Sequence, residues 1–155
     1  MNKKLKISII TVSYNQGRFI EDNILSVLNQ KYNNFEHIII DACSKDNTLD
    51  ILKKYDHLIW TSEPDKGQSD GLNKGFRKAT GDLIVWLNSD DAMCDGAFEV
   101  LNKFFTENPD KHVVTGNQVF INGNSEVDHI IKAEPFTYER LLNTRYCSVM
   151  QNSTV

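Results

Sequence analysis

Short apolar runs and amphipathic stretches alternate along most of the chain. Lys6 to Val12 is rich in β-branched residues and reads as a strand. Phe35 to Asp41 reads as a second, with Ile38-Ile39-Ile40 running straight into Asp41. Leu58 to Ser62 and Leu83 to Leu87 make a third and a fourth. Behind each run, apolar positions recur at helical spacing: Phe19, Ile20, Ile24, Val27 and Leu28 up to about Asn29; Leu49, Leu52 and Tyr55; Leu72, Phe76 and Ala79 up to Gly81; Phe98, Leu101 and Phe105 up to about Pro109. Asp46 or Asn47 is placed to cap the second helix. Strand-then-helix units in succession predict a parallel, doubly wound α/β sheet with right-handed crossovers. The unbroken apolar run of Leu83 to Leu87 further predicts a strand buried on both faces.

The pattern changes after Pro109. Val113-Val114-Thr115 reads as a short strand, and Val119 to Ile121 and Val127 to Ile131 flank the reverse-turn dipeptide Asn122-Gly123. Asn124 to Glu126 make the hairpin loop longer than two residues. Residues 1–110 are therefore expected to form the α/β part and 111–155 the start of a second part, within one domain. The cleft between the two is a natural ligand site. A further helix is expected near Tyr138 to Asn143, before the sequence stops at Gln151-Asn152-Ser153-Thr154-Val155 without a terminating signal.

Composition narrows the classes. At 155 residues, 40% hydrophobic and 25% charged, the chain is an ordinary globular domain with room for a sizeable core. A net charge of −4 without a basic block argues against nucleic acid as a partner. Lys3, Lys4 and Lys6 precede an apolar run too short and too often interrupted for a signal peptide, and no stretch is long enough to span a bilayer. Cys43, Cys94 and Cys147 are odd in number and widely spaced, which fits a reducing cytoplasm rather than a disulfide framework.

The chemistry is concentrated where strands end. Ser13-Tyr14-Asn15 follows the first, Asp41 closes the second, and Asn88-Ser89-Asp90-Asp91 follows the fourth. Parallel strands gather these groups along one edge, where open α/β sheets bind ligands. An aromatic face can stack a base, and a carboxylate can accept from a base N–H or a ribose hydroxyl. Two adjacent carboxylates can hold a divalent metal with a diphosphate, Mg²⁺ or Mn²⁺ being the cations suited to such hard oxygen donors. Plainer roles stand beside these: Tyr14 as a packing aromatic, Asp41 as a loop cap, one of the Asp pair as a helix cap. Neither Gly-x-Gly-x-x-Gly nor Gly-x-x-x-x-Gly-Lys-Ser/Thr occurs, so dinucleotide-binding and P-loop folds lose their main support.

In order, Thr11-Val12-Ser13-Tyr14-Asn15, Asp41-Ala42-Cys43-Ser44-Lys45-Asp46-Asn47-Thr48, Glu63-Pro64-Asp65-Lys66-Gly67, Asn73-Lys74-Gly75 and Trp86-Leu87-Asn88-Ser89-Asp90-Asp91 resemble the family 2 glycosyltransferases. The resemblance is strongest from Ile7 to Asp91 and continues weakly through Thr115-Gly116-Asn117 to Gln151-Asn152-Ser153-Thr154. It implies a GT-A (Rossmann-like) fold, and transfer of a sugar with inversion from a nucleoside-diphosphate-sugar donor to a glycan or lipid-linked acceptor hydroxyl. It also implies a cytoplasmic enzyme, with peripheral membrane association through such an acceptor. By the same resemblance Val12 and Tyr14 border the base, and Asp41 bonds to the base or ribose. Asp70 and Asn73 face the nucleotide-sugar pocket, Asp90 lies toward ribose and sugar, and Asp91, with Asp90, holds Mg²⁺ or Mn²⁺. Asn88 stands where the family commonly has an acidic residue, which leaves Asp91 as the principal ligand. Cys43 stands where glycine is frequent.

Inversion needs a carboxylate opposite the leaving group to activate the acceptor hydroxyl. In the family that residue follows a segment matching the end of this sequence, so the base is expected beyond Val155, and the chain is expected to be the donor-binding part of a longer enzyme. Glu126, Asp128, Glu134 and Glu139 are carboxylates without a matching motif. The alternative is a nucleotide-sugar-binding module without transfer activity. A nucleotidyltransferase is weaker, because the glycine-rich first loop is missing.

Overall fold

The computed structural model describes residues 4–124 and 126–133. Strands β1 (Ile7–Ser13), β2 (Phe35–Asp41), β3 (Leu58–Ser62) and β4 (Leu83–Trp86) form one parallel sheet in the order β3-β2-β1-β4. Helices α1 (Ile20–Leu28), α2 (Thr48–Leu52), α3 (Gln68–Lys78) and α4 (Ala97–Glu107) follow them one by one. The strand–helix alternation predicted from periodicity is the one observed.

The pleat sends alternate residues of β1 to opposite faces. Ile7 and Ile9 join Val27, Leu87, Met93, Phe98 and Leu101 beneath α1 and α4. Ile39 packs with Ile20, Ile24, Ile51, Leu52 and Leu58 around α1 and α2. On the other face α3 lies directly on β1 and β2. It can do so because Gly71 and Gly75, one turn apart, face Val12 and Ile10; a Cβ on Gly75 would collide with Cγ2 of Ile10.

Three expectations change. β4 is the edge strand of the described sheet and is covered on the α4 side alone, so Ile84 is 53% exposed rather than buried. Val113-Val114-Thr115 finds no partner strand among the described residues and forms no strand. At the second helix the capping position belongs to Asn47, but its side chain makes no capping bond; Asp46 accepts from the Thr48 N–H at 3.0 Å instead. The hairpin is present as β5 (Gln118–Ile121) and β6 (Val127–Ile131), antiparallel and bulged at Phe120/Ile121. Its loop is held by Asn122, whose Oδ1 accepts from the N–H groups of Asn124 and Glu126. The helix expected near Tyr138 to Asn143 lies outside the described residues, as do Glu134 and Glu139.

At the amino-terminal edge of the sheet Glu36 accepts from Lys6 Nζ (2.6 Å), Ser8 Oγ (2.6 Å) and Thr80 N–H (2.7 Å). Burial pushes its carboxyl up, but these bonds together outweigh that and hold it at about 2. His37 is fully buried, with Nε2 on Thr11 Oγ1 at 3.0 Å; burial, helped by His57, pulls it down to about 3.

Both groups make the fold sensitive to acid. Below pH 6.5 the unfolded chain takes up a proton on His37 that the fold refuses, so stability falls as pH drops toward 3. The Glu36 contribution is full above 4.5 and is lost as pH falls toward 2. Urea-unfolding free energies should therefore fall by up to about 1.4 kcal/mol per pH unit from His37 alone. His37→Gln should flatten the limb below pH 6.5, and Glu36→Gln the limb below 4.5. Gly75→Ala should lower the urea midpoint, because about 1–3 kcal/mol of overpacking exceeds the ~1 kcal/mol of helix propensity gained.

Candidate functional site

All four parallel strands point the same way, so the loops that leave them rise from one edge of the sheet. β1 is flanked by β2 on one side and β4 on the other, and successive connections diverge there. This is a topological switch point, where open α/β sheets bind ligands. A cavity of about 670 Å³ opens at that place. Val12, Ser13, Tyr14 and Gln16 line it from β1, and Ala42 and Cys43 from the loop after β2. Pro64, Asp65, Gly67 and Gln68 close the side under α3, and Asn88, Ser89 and Asp90 close the side under β4. Among the described residues the walls belong to the α/β part, and the β5–β6 hairpin contributes none of them.

The first two loops are knitted together by side chains. The N–H groups of Asn15, Gln16 and Gly17 donate to Ser44 Oγ (2.8 Å), Thr48 Oγ1 (2.9 Å) and Asp46 Oδ2 (2.9 Å). In return Asn15 Oδ1 accepts from the Lys45 N–H at 2.7 Å. Asn15 and Cys43 take left-handed backbone angles, φ 54° and 59°, to make these turns. A left-handed angle without glycine costs about 1–2 kcal/mol. Tyr14, on the loop that these bonds hold, is 58% exposed and lines the cavity. It is therefore no packing aromatic.

Asp41 is 0% exposed and lies beneath the cavity rather than in its lining. Its carboxylate accepts from Ser44 N–H (2.9 Å), Ser44 Oγ and Ser62 Oγ (2.6 Å). The group fixes the loop that carries Ala42 and Cys43 and ties it to the end of β3. Asp70 and Asn73 are not in the lining either. α3 starts at Gln68, so its first residue meets the cavity. Asp70 turns back to the Lys66 N–H (3.2 Å) and toward Lys74, and Asn73 sits on the exposed side of the helix.

Beyond β4 the chain makes a turn in which the Asp91 N–H donates to the Asn88 carbonyl at 3.1 Å. Asp90 is exposed and lines the cavity. Asp91 is half-buried, and Asn88 Nδ2 donates to its Oδ2 at 3.0 Å. Burial pushes the Asp91 carboxyl up; the Asn88 amide opposes this and the charge of Asp90 adds to it. Two carboxylates so placed offer hard oxygen donors in a position where added positive charge lowers their energy. They are too few to cage a metal alone, and no larger cluster of metal-ligating side chains occurs among the described residues. This suits a cation that keeps waters and shares its coordination with substrate phosphates. The lining residues Gln16, Pro64, Asp65, Gly67 and Gln68 were not singled out from the sequence, although the third-strand loop that holds most of them was visible as a motif.

The geometry has counterparts. A putative teichuronic acid biosynthesis glycosyltransferase, TuaG, of Bacillus subtilis (strain 168) is 34% identical over 91% of this chain and 58% of its own. The Escherichia coli UDP-Glc:alpha-D-GlcNAc-diphosphoundecaprenol beta-1,3-glucosyltransferase WfgD is 34% identical over 88% of this chain and 54% of its own. The chain thus spans a little over half the length of these relatives. Among solved structures, S. aureus TarS 1-349 in complex with UDP-GlcNAc superposes with a TM-score of 0.62 at 26% identity, covering 67% of this chain and 32% of that one. The α/β sheet is of the GT-A type. The profile described as Glycosyl transferase family 2 matches residues 8–153, nearly the whole sequence, and the chain belongs to that family.

Proposed function

We propose that this chain is the donor-binding part of an enzyme that transfers a sugar, with inversion, from a nucleoside-diphosphate sugar to a hydroxyl of a glycan or lipid-linked acceptor. One observation carries the reading. Tyr14 lines the cavity at one side and Asp90 at another, with half-buried Asp91 next to Asp90 but outside the lining, while the backbone amides of residues 15–17 are already consumed by side chains. In a glycine-rich phosphate loop such amides would meet the diphosphate. Here its charge must be met otherwise, and Asp90 and Asp91 are suited to do so through Mg²⁺ or Mn²⁺. The relatives support the substrate class: one is named for a UDP-glucose donor and a diphospho-lipid acceptor, and TarS was crystallised with UDP-GlcNAc.

Each residue then has a part in binding. Val12 and Tyr14 border the base, with the Tyr14 ring available for stacking. Asp41 acts from below, holding the Ala42–Cys43 wall at the base and ribose. Asp90 faces ribose and sugar, and Asp91 is the principal metal ligand, with Asn88 orienting it. Asp70, which accepts from the Lys66 N–H, supports the start of α3 near the sugar end, and Asn73 lies on the exposed side of the same helix. When bound, the cation supplies Lewis-acid stabilisation of charge on the departing nucleoside diphosphate. Peripheral association with a membrane, at its cytoplasmic face, would follow from a lipid-linked acceptor. No helix among the described residues is long and apolar enough to cross one.

A thermal-shift panel of nucleoside diphosphates and UDP-sugars, with and without Mn²⁺, tests the reading. A ligand at 100 times its dissociation constant should add about 2.7 kcal/mol. For a domain of this size that is a rise on the order of several °C. Asp91→Asn should abolish the Mn²⁺-dependent part of the rise; an unchanged Mn²⁺ response in that variant overturns the assignment of Asp91.

A further inference from the structure

Helix α1 carries a polar stripe on a face that packing would fill with leucine. Asn23 is 1% exposed and Gln30, just beyond the helix, is 6% exposed, with Ser26 between them. Spaced three and four residues apart, the three side chains share one face. That face does not look at solvent. It looks at the turn after β4.

Every bond the stripe makes there is to main chain. Asn23 Nδ2 donates to the carbonyl of Asn88 at 2.7 Å and to that of Asp91 at 2.9 Å. Ser26 Oγ accepts from the Met93 N–H at 2.9 Å and donates to the Asn23 carbonyl at 2.7 Å. Gln30 Nε2 donates to the Cys94 carbonyl at 2.9 Å and to Ser26 O at 3.1 Å, and its Oε1 accepts from the Phe98 N–H at 3.4 Å. The segment from Asn88 to Phe98, which carries Asp90 and Asp91, is thus clamped through its main chain at successive points.

Asn23 is the informative member. Its two amide hydrogens go to the two carbonyls that bracket Asp90, while its own Oδ1 is buried with no hydrogen-bond partner among the described residues. A buried acceptor left in that state is destabilising. An apolar residue would pack there without that cost but could not hold either carbonyl. The stripe is therefore better explained by what it does for the turn than by what it does for the core.

We infer that Asn23 is a positioning residue for the nucleotide–metal site: it fixes the spacing of the Asn88 and Asp91 carbonyls, and so the direction in which the Asp90–Asp91 pair faces the cation. Ser26 and Gln30 hold the far end of the same turn. The inference rests on the reading of Asp90 and Asp91 given above. Partners that orient metal ligands typically matter about 10- to 100-fold in metal affinity.

Titration calorimetry of the 155-residue chain with UDP, in the presence and absence of Mn²⁺, tests it, with the thermal midpoint measured alongside. In Asn23→Leu, UDP binding without Mn²⁺ should stay within about twofold, since the Tyr14 wall belongs to other loops. The tightening of UDP binding by Mn²⁺ should fall about tenfold or more. Asn23→Ser, smaller and still polar, is read in the same way should the leucine variant fail to fold. A variant that shifts the thermal midpoint but keeps the full Mn²⁺ effect shows a purely structural residue and overturns the inference alone. Wild-type chain whose UDP binding ignores Mn²⁺ overturns the metal reading of Asp90–Asp91, and the inference with it.

Discussion

A buried carboxylate is tolerable when donors surround it and costly when they do not. Asp41 sets that constraint at the centre of this molecule. Its oxygens draw in the backbone and hydroxyl of Ser44 and the hydroxyl of Ser62, which joins the end of β2 to its own following loop and to the end of β3. Ser44 in turn receives the Asn15 N–H, so the loop after β1 hangs on the same group. Three of the four strand ends that surround the cavity are thereby set by one side chain that never reaches its surface.

The fourth strand end is governed differently. The main chain of the Asn88–Asp91 turn is held by a helix that precedes it by some 65 residues. One side of the cavity is thus braced through loops and the other through a packed helix. The aromatic wall and the carboxylate pair depend on separate supports, and damage to one need not distort the other.

Much of this was legible in the sequence. The period-2 and period-3.6 patterns gave the element order, because each strand–helix unit buries its apolar side locally. Tyr14 and Asp90 could be placed at the cavity because polar residues directly after apolar strands gather at one edge of a parallel sheet. What stayed hidden was direction. Asp41 looks the same in sequence whether it faces a ligand or its own loop, and only three-dimensional proximity to Ser62 decides the matter. Asn23 and Gln30 carried no mark in the sequence, since their partners are backbone groups whose identity no side-chain pattern encodes. The exposure of Ile84 was equally invisible, because it depends on where the described sheet ends rather than on the strand itself.

The pair of glycines on α3 has a consequence for the shape of the cavity. Without side chains at Gly71 and Gly75, the helix settles onto Val12 and Ile10 and brings its first residue, Gln68, down to the level of the strand ends. From there Gln68 Nε2 comes within 3.4 Å of Asn88 Oδ1, spanning from the α3 side to the β4 side. The width of the opening is therefore governed by two missing methyl groups. Larger residues at those positions would lift the helix like a wedge under a door, parting Gln68 from Asn88 and altering how wide a ligand the mouth admits.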